Sequence, residues 1–210
     1  MKKWGPMLYD CAMAPLEKVR FRKIRAALIN RATGRVLEVG SGTGVNFPLY
    51  HKVTRVDAIE PNPSMKKRAI KRLKQSKIPI HMTNGNAEIL LYENNTFDTA
   101  VATLVFCTIP DPQKAIDEIQ RVCRPNSSIL LFEHVKMNQS LLGKTQDILT
   151  PVWKRVCDGC HLNRNTLELL KASNIEVVRV ESYYKGLFLV IEGVNRKDTD
   201  SNRKNGHEQL

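Results

Sequence analysis

The chain lacks any apolar run of the roughly eighteen residues that a membrane-spanning helix needs, so none is expected. Its basic start, Met1–Pro6, leads into no apolar stretch of signal-peptide length, because Asp10 and Glu17 interrupt it. A cytoplasmic location is therefore the expectation. Internal repeats are absent as well. Acidic side chains are scarce, 21 against 33 Lys and Arg, which leaves a formal net charge of +12. The bases concentrate in Lys18–Arg35 and Lys66–Lys77, both helical in pattern. They are either solvated helix faces or surfaces that attract anionic lipid or nucleic acid.

Cysteine is too sparse for a disulfide framework: five residues, an odd number, with no export signal. Cys157-Asp158-Gly159-Cys160-His161 matches the C-x-x-C-H string of covalent haem attachment, and the same spacing suits zinc or a redox pair. Haem attachment needs export machinery, and a closed zinc site needs a fourth ligand that no paired motif supplies. The expectation is that no metal is bound and that the thiols are buried or line a substrate site.

Against these absences stands Val36-Leu37-Glu38-Val39-Gly40-Ser41-Gly42-Thr43-Gly44, an apolar strand running into three alternating glycines. Such a turn exposes backbone to a ligand. It is expected to open a helix at Val45–Tyr50, whose free N–H groups favour electronegative ligand atoms. About twenty residues on, Val56–Ile59 ends in Glu60, where a carboxylate accepts from both hydroxyls of a ribose. The pattern implies an adenosine-containing cofactor; the alternative is a glycine-rich turn that binds nothing. No Gly-Lys-Ser/Thr follows, which excludes a phosphate-binding P-loop. The third glycine falls one residue early for a dinucleotide loop, with Val45 in its place.

This loop resembles the E/D-x-G-x-G-x-G motif of class I S-adenosylmethionine-dependent methyltransferases, with Glu38 as the leading acid. Asn84–Glu88 resembles the G-D-A-E segment after strand three, where the acid meets the adenine amine; here Asn86 replaces the aspartate. Phe97–Phe106 resembles the fourth strand, and Arg121–Ser128 the R-x-L-(R/K)-P-G-G turn before the fifth, with Asn126 and Ser127 in place of the glycines. The resemblance spans roughly Arg35–Val135. It implies S-adenosylmethionine held by Tyr9, Glu38, Gly40, Ser41, Gly42, Thr43, Gly44, Glu60, Pro61, Asn86, Ala87, Glu88, Thr103 and Leu104.

Strand and helix patterns alternate from Arg35 onward, as in a parallel α/β sheet. The expected strands are Arg35–Val39, Thr54–Glu60, Ile78–Thr83, Thr96–Val105 and Ser128–Glu133. Helices are expected over Gly44–Tyr50, Pro63–Gln75, Pro112–Cys123 and Asn165–Ala172, the last after a long irregular segment from Lys136. Ile175–Glu181 and Leu187–Gly193 read as a closing hairpin. The predicted fold is a Rossmann-like, doubly wound, mostly parallel seven-stranded α/β sheet with an antiparallel C-terminal hairpin strand and N-terminal helices. Residues 1–194 form one domain: an N-terminal helical lid (1–31), a cofactor core (35–135), and a substrate-side segment with the hairpin (136–194). The apolar positions of the lid are Met13, Leu16, Val19, Ile24, Ala27 and Leu28, with Pro15 starting its second helix. Residues 195–210 are expected to be a disordered polar tail.

Ligands of open α/β sheets lie beyond the carboxyl ends of the strands, so a methyl acceptor belongs near Thr103–Pro110. Phe106-Cys107-Thr108-Ile109-Pro110 departs from the N/D-P-P-Y/F of base-amine methyltransferases, and Cys107 lacks the Pro-Cys or Thr-Cys setting of a cytosine-C5 nucleophile. Tyr9–Glu17 and Gly159–Thr166 resemble segments of small methyltransferases grouped with phospholipid N-, quinone-biosynthesis and thiol methyltransferases. That resemblance implies a small-molecule or lipid-like acceptor (amine, thiol, quinol or phospholipid headgroup) and peripheral contact with anionic membrane. His134 and His161 are the candidate bases. An RNA methyltransferase, or a non-catalytic cofactor-binding module with a basic surface, is the alternative.

Overall fold

The computed structural model describes residues 20–157 and 159–197. Seven strands form one sheet: β1 (Gly34–Val39), β2 (Val53–Ile59), β3 (Ile80–Thr83), β4 (Phe97–Thr103), β5 (Cys123–His134), β6 (Ile175–Tyr183) and β7 (Phe188–Asn195). Their order is β3-β2-β1-β4-β5-β7-β6. The first five run parallel, and β7 enters antiparallel between β5 and β6. The helices are α1 (Arg22–Ile29), α2 (Pro63–Leu73), α3 (Pro112–Val122), α4 (Ser140–Val156) and α5 (Thr166–Lys171).

The apolar runs of β1, β2 and β4 form central strands because both of their faces are covered. On one face, Leu37, Val39, Ala100 and Ala102 pack with Ile116 and Ile119 of α3 and Leu170 of α5. On the other, Val36, Val56, Ala58 and Val101 pack with Ile24 and Leu28 of α1 and Ala69 of α2. Asn62 and Asp111 cap α2 and α3, accepting from Ser64 N and Lys114 N, and a proline follows each cap. The sheet is thus doubly wound, with its order reversing between β1 and β4.

Several expectations need correction. The glycine loop opens no α-helix: residues 42–46 form turns and Phe47–Leu49 a single 3-10 turn. Pro48 has no N–H with which to extend an α-helical ladder. The segment after Lys136 is not irregular but contains α4, which carries Pro151 inside it. In α1, Ala27 is exposed, whereas Phe21 and Ile29 join Ile24 and Leu28 in the core. Asn195 belongs to β7 rather than a tail; it is fully buried and donates to the carbonyls of Gln120, Cys123 and Arg124. The turn expected at Arg121–Ser128 is a bulge at the start of β5, with Asn126 at φ 62°. Tyr9, Met13, Pro15, Leu16, Val19 and residues 198–210 lie outside the described residues.

Candidate functional site

The five parallel strands deliver their carboxyl ends to one edge of the sheet, and the sequence candidates from Glu38 to His134 follow them there. Gly40, Ser41, Gly42, Thr43 and Gly44 leave β1. Glu60 and Pro61 leave β2, Asn86, Ala87 and Glu88 come after β3, and Thr103 and Leu104 end β4. The Glu60 carboxylate accepts from Gly42 N at 2.8 Å and Asn62 N at 2.9 Å. It therefore fixes the glycine loop to the end of β2.

The loop glycines differ in what they do. A Cβ on Gly44 would lie 2.6 Å from the Phe47 ring, and one on Gly40 would lie 2.1 Å from Val105. One on Gly42 (φ 54°) would meet nothing within 4 Å. Gly42 thus borders open space, the room that a cofactor approaching the main chain requires. The Ser41 hydroxyl, buried beside it, has no partner among the described residues. Both observations fit an adenosine cofactor lying against this loop.

Glu38 does not face that space. It is buried, and accepts from Asn46 Nδ2 at 3.0 Å and the Tyr50 hydroxyl at 2.9 Å. Asn46 Nδ2 also donates to Thr103 Oγ1 at 3.0 Å, and the Arg25 guanidinium reaches Thr103 Oγ1 and Asn46 Oδ1. Burial pushes the Glu38 carboxyl up to about 7, against the opposing pull of these partners. Arg25, Asn46 and Tyr50 were not expected here; the only local signal is a polar Asn46 inside an apolar run.

Exposed Asn86 accepts from Glu88 N at 3.0 Å and donates to the Glu88 carboxylate at 2.8 Å. Glu88 in turn accepts from Asp111 N at 2.6 Å, joining this segment to the start of α3. Leu104 has φ 55° and donates its N–H to Phe132 O. The turn beyond it is held by Glu133, fully buried, whose carboxylate accepts from Val105 N and Phe106 N.

The two candidate bases differ in setting. His134 ends β5 in the interior, with Nε2 3.2 Å from Cys160 Sγ. His161 is half-buried, and its Nδ1 lies 3.2 Å from both the Arg164 guanidinium and the Cys107 carbonyl. Cys157 and Cys160 do not pair as their spacing suggested. Cys160 turns instead toward Cys107 and His134, whose donor atoms and its own all lie within 4.8 Å of one another.

A doubly wound sheet reversing at β1/β4, with a glycine loop and an acid on the next strand, defines the nucleotide-cofactor class of α/β proteins. Residues 37–131 match the methyltransferase domain family. The chain is 33% identical over 155 residues to thiol S-methyltransferase TMT1B of Rattus norvegicus, covering 70% of this chain and 62% of that protein. It is 30% identical over 150 residues to phosphatidylethanolamine N-methyltransferase of Cereibacter sphaeroides, covering 70% of this chain and 72% of that protein. A solved S-adenosylmethionine-dependent methyltransferase of Thermotoga maritima superposes with a TM-score of 0.67 at 22% identity, covering 89% of this chain and 94% of that one. That likeness shows the fold alone. The chain belongs to the S-adenosylmethionine-dependent methyltransferase family. It spans about three fifths of the length of the rat relative.

Proposed function

We propose that the chain is a methyltransferase that moves a methyl group from S-adenosylmethionine to a small or lipid-like acceptor: an amine, a thiol, a quinol or a phospholipid headgroup. The open space at Gly42, with Glu60 anchored to the same loop, carries this reading. When bound, S-adenosylmethionine supplies a methyl group already activated by its sulfonium sulfur. The chain's own work is then alignment and exclusion of water. Gly40 and Gly44 shape the loop, Glu60 holds it, and Glu38 with Asn46, Tyr50 and Arg25 braces it from below. The acceptor belongs beside Leu104–Pro110, where β4 and β5 end.

The proposal includes a cytoplasmic protein attached peripherally to anionic membrane. No helix of the described residues is long and apolar enough to cross a membrane. Helix α4, however, buries Gly143, Gln146 and Thr150 while Leu141, Ile148, Leu149 and Val152 stay exposed. That inversion, flanked by Lys144, Lys154 and Arg155, fits a helix lying in a headgroup layer.

Release of S-adenosylhomocysteine is the test, measured with small thiols, amines, quinols and vesicles containing phosphatidylethanolamine. Turnover with at least one of these classes is the expected outcome. Binding of S-adenosylmethionine with no turnover of any acceptor would favour a non-catalytic cofactor-binding module.

A further inference from the structure

Three segments far apart in sequence bring soft donors to one point near the acceptor position. Cys107 lies in the turn after β4, His134 is the last residue of β5, and Cys160 lies in the loop after α4. All three are buried, and their ligand atoms lie within 4.8 Å of one another. A tetrahedral zinc ion, with Zn–S about 2.3 Å and Zn–N about 2.0 Å, sets a sulfur and a nitrogen ligand about 3.5 Å apart and two sulfurs about 3.8 Å apart. The observed 3.2 Å between His134 Nε2 and Cys160 Sγ lies a little below the first of these values, and all three separations fall within 4.8 Å, so side-chain rotations bring the donors around one ion.

The backbone around these donors is braced. His161 N donates to Cys107 O at 2.9 Å, which ties the Cys160 loop to the β4 turn. Gln146 of α4 accepts from Met137 N and donates to Val135 O and Leu162 O, fixing the segments on either side of the cluster. His161 and Arg164 also line a cleft of about 400 Å³ with Pro112, Asn163 and Glu168. The cleft is lined by His161, the residue after Cys160, while the three donors themselves are buried.

We propose that Cys107, His134 and Cys160 form a site for one zinc ion whose fourth position takes an exogenous thiol, one of the acceptor classes proposed above. Two thiolates and an imidazole are the donor set that selects zinc over magnesium or calcium. Three protein ligands with an open position are the arrangement of catalytic rather than structural zinc. A thiol R–SH entering that position loses its proton to solvent and stays a thiolate at neutral pH. Its sulfur lone pair then forms the new bond to the methyl carbon. The methyl–sulfonium bond breaks, its electron pair stays on the sulfur of S-adenosylhomocysteine, and a neutral thioether leaves. The thiol assignment rests on the methyltransferase reading; the metal site does not.

Cobalt and zinc titrations of the reduced full chain, kept under inert gas, test this without turnover. One equivalent of Co²⁺ should bind and show a thiolate-to-cobalt charge-transfer band with tetrahedral visible bands. Adding 2-mercaptoethanol should then strengthen the charge-transfer band as a third thiolate joins. Cys107→Ser and Cys160→Ser should each lower Zn²⁺ affinity more than about 100-fold, since even outer partners of zinc ligands are worth 10–100-fold. Cys157→Ser, outside the cluster, should leave it unchanged. Absence of stoichiometric binding, or a Cys160→Ser chain that circular dichroism shows folded and that binds as the parent does, overturns the site. Binding with no response to the added thiol overturns the open position. Calorimetry with S-adenosylhomocysteine on the same samples reads the cofactor site separately, so failure of one reading is distinguishable from failure of the other.

Discussion

Two neighbouring glycines separate cofactor binding from folding. Gly42→Ala puts a methyl group into open space at φ 54°, so its folding penalty is the left-handed backbone alone, about 1–2 kcal/mol. Gly44→Ala adds a 2.6 Å contact with buried Phe47 to a φ of 72°. Thermal unfolding should show the larger loss for Gly44→Ala. Calorimetry with S-adenosylhomocysteine should show at least a tenfold affinity loss for folded Gly42→Ala; unaltered affinity would remove Gly42 from the cofactor contact. Glu38 gives a pH signature. Its carboxyl is pushed from 4.5 to about 7, so between those values the native chain keeps a proton that the unfolded chain has released. Stability therefore falls as pH rises from about 4.5 to 7, by at most about 1.4 kcal/mol per pH unit for this group, and levels off above. Glu38→Gln keeps a carbonyl for Asn46 and turns an N–H toward the Tyr50 hydroxyl. Denaturant titrations of this variant should show a flatter profile across that window, and an identical slope would discount the buried proton.

Among the elements, α4 runs against the usual pattern, in which an apolar stripe faces the core. Its buried positions include Gln146, which hydrogen-bonds the neighbouring backbone, and its aliphatic residues Leu141, Leu142, Ile148, Leu149, Val152 and Val156 are exposed, whereas Trp153 is half-buried. This explains why the sequence from Lys136 read as irregular: the buried positions Gly143, Gln146 and Thr150 carry no core signal, and Pro151 interrupts the run. The bilayer reading makes a direct prediction. A chain with Leu141, Ile148 and Val152 all replaced by Ser should keep its fold, since these side chains are 78%, 75% and 63% exposed. It should float poorly with vesicles rich in phosphatidylglycerol, to which the parent binds. Equal flotation of both would show that this face does not carry attachment. The strands were more legible, because β1, β2 and β4 are buried on both faces and so read as unbroken apolar runs. The glycine loop misled in one respect: its three glycines suggested a helix start, and Pro48 leaves a 3-10 turn instead.

For the molecule as a whole, the net charge of +12 adds a long-range term to the local apolar one. Binding to anionic vesicles should weaken as salt rises, since the screening length falls from about 10 Å at 0.1 M to about 3 Å at 1 M. Binding to neutral phosphatidylcholine alone should be weaker throughout, and salt-insensitive binding would assign attachment to the apolar face only. The architecture and the choice of cofactor were determined by sequence. Strand periodicity, the glycine spacing and an acid one strand later are local features, and a doubly wound sheet brings their ends together. Tertiary structure decided the rest. It drew Arg25, Asn46 and Tyr50 around Glu38, turning an expected ligand residue into a buried brace. It also set the thiol of Cys160 against Cys107 and His134, although its backbone N–H still donates to the carbonyl of Cys157, its neighbour in the C-x-x-C-H string. Spacing along a chain reports donors that lie close in sequence. A cluster assembled from a strand end, a turn and a distant loop exists only when packing has placed all three.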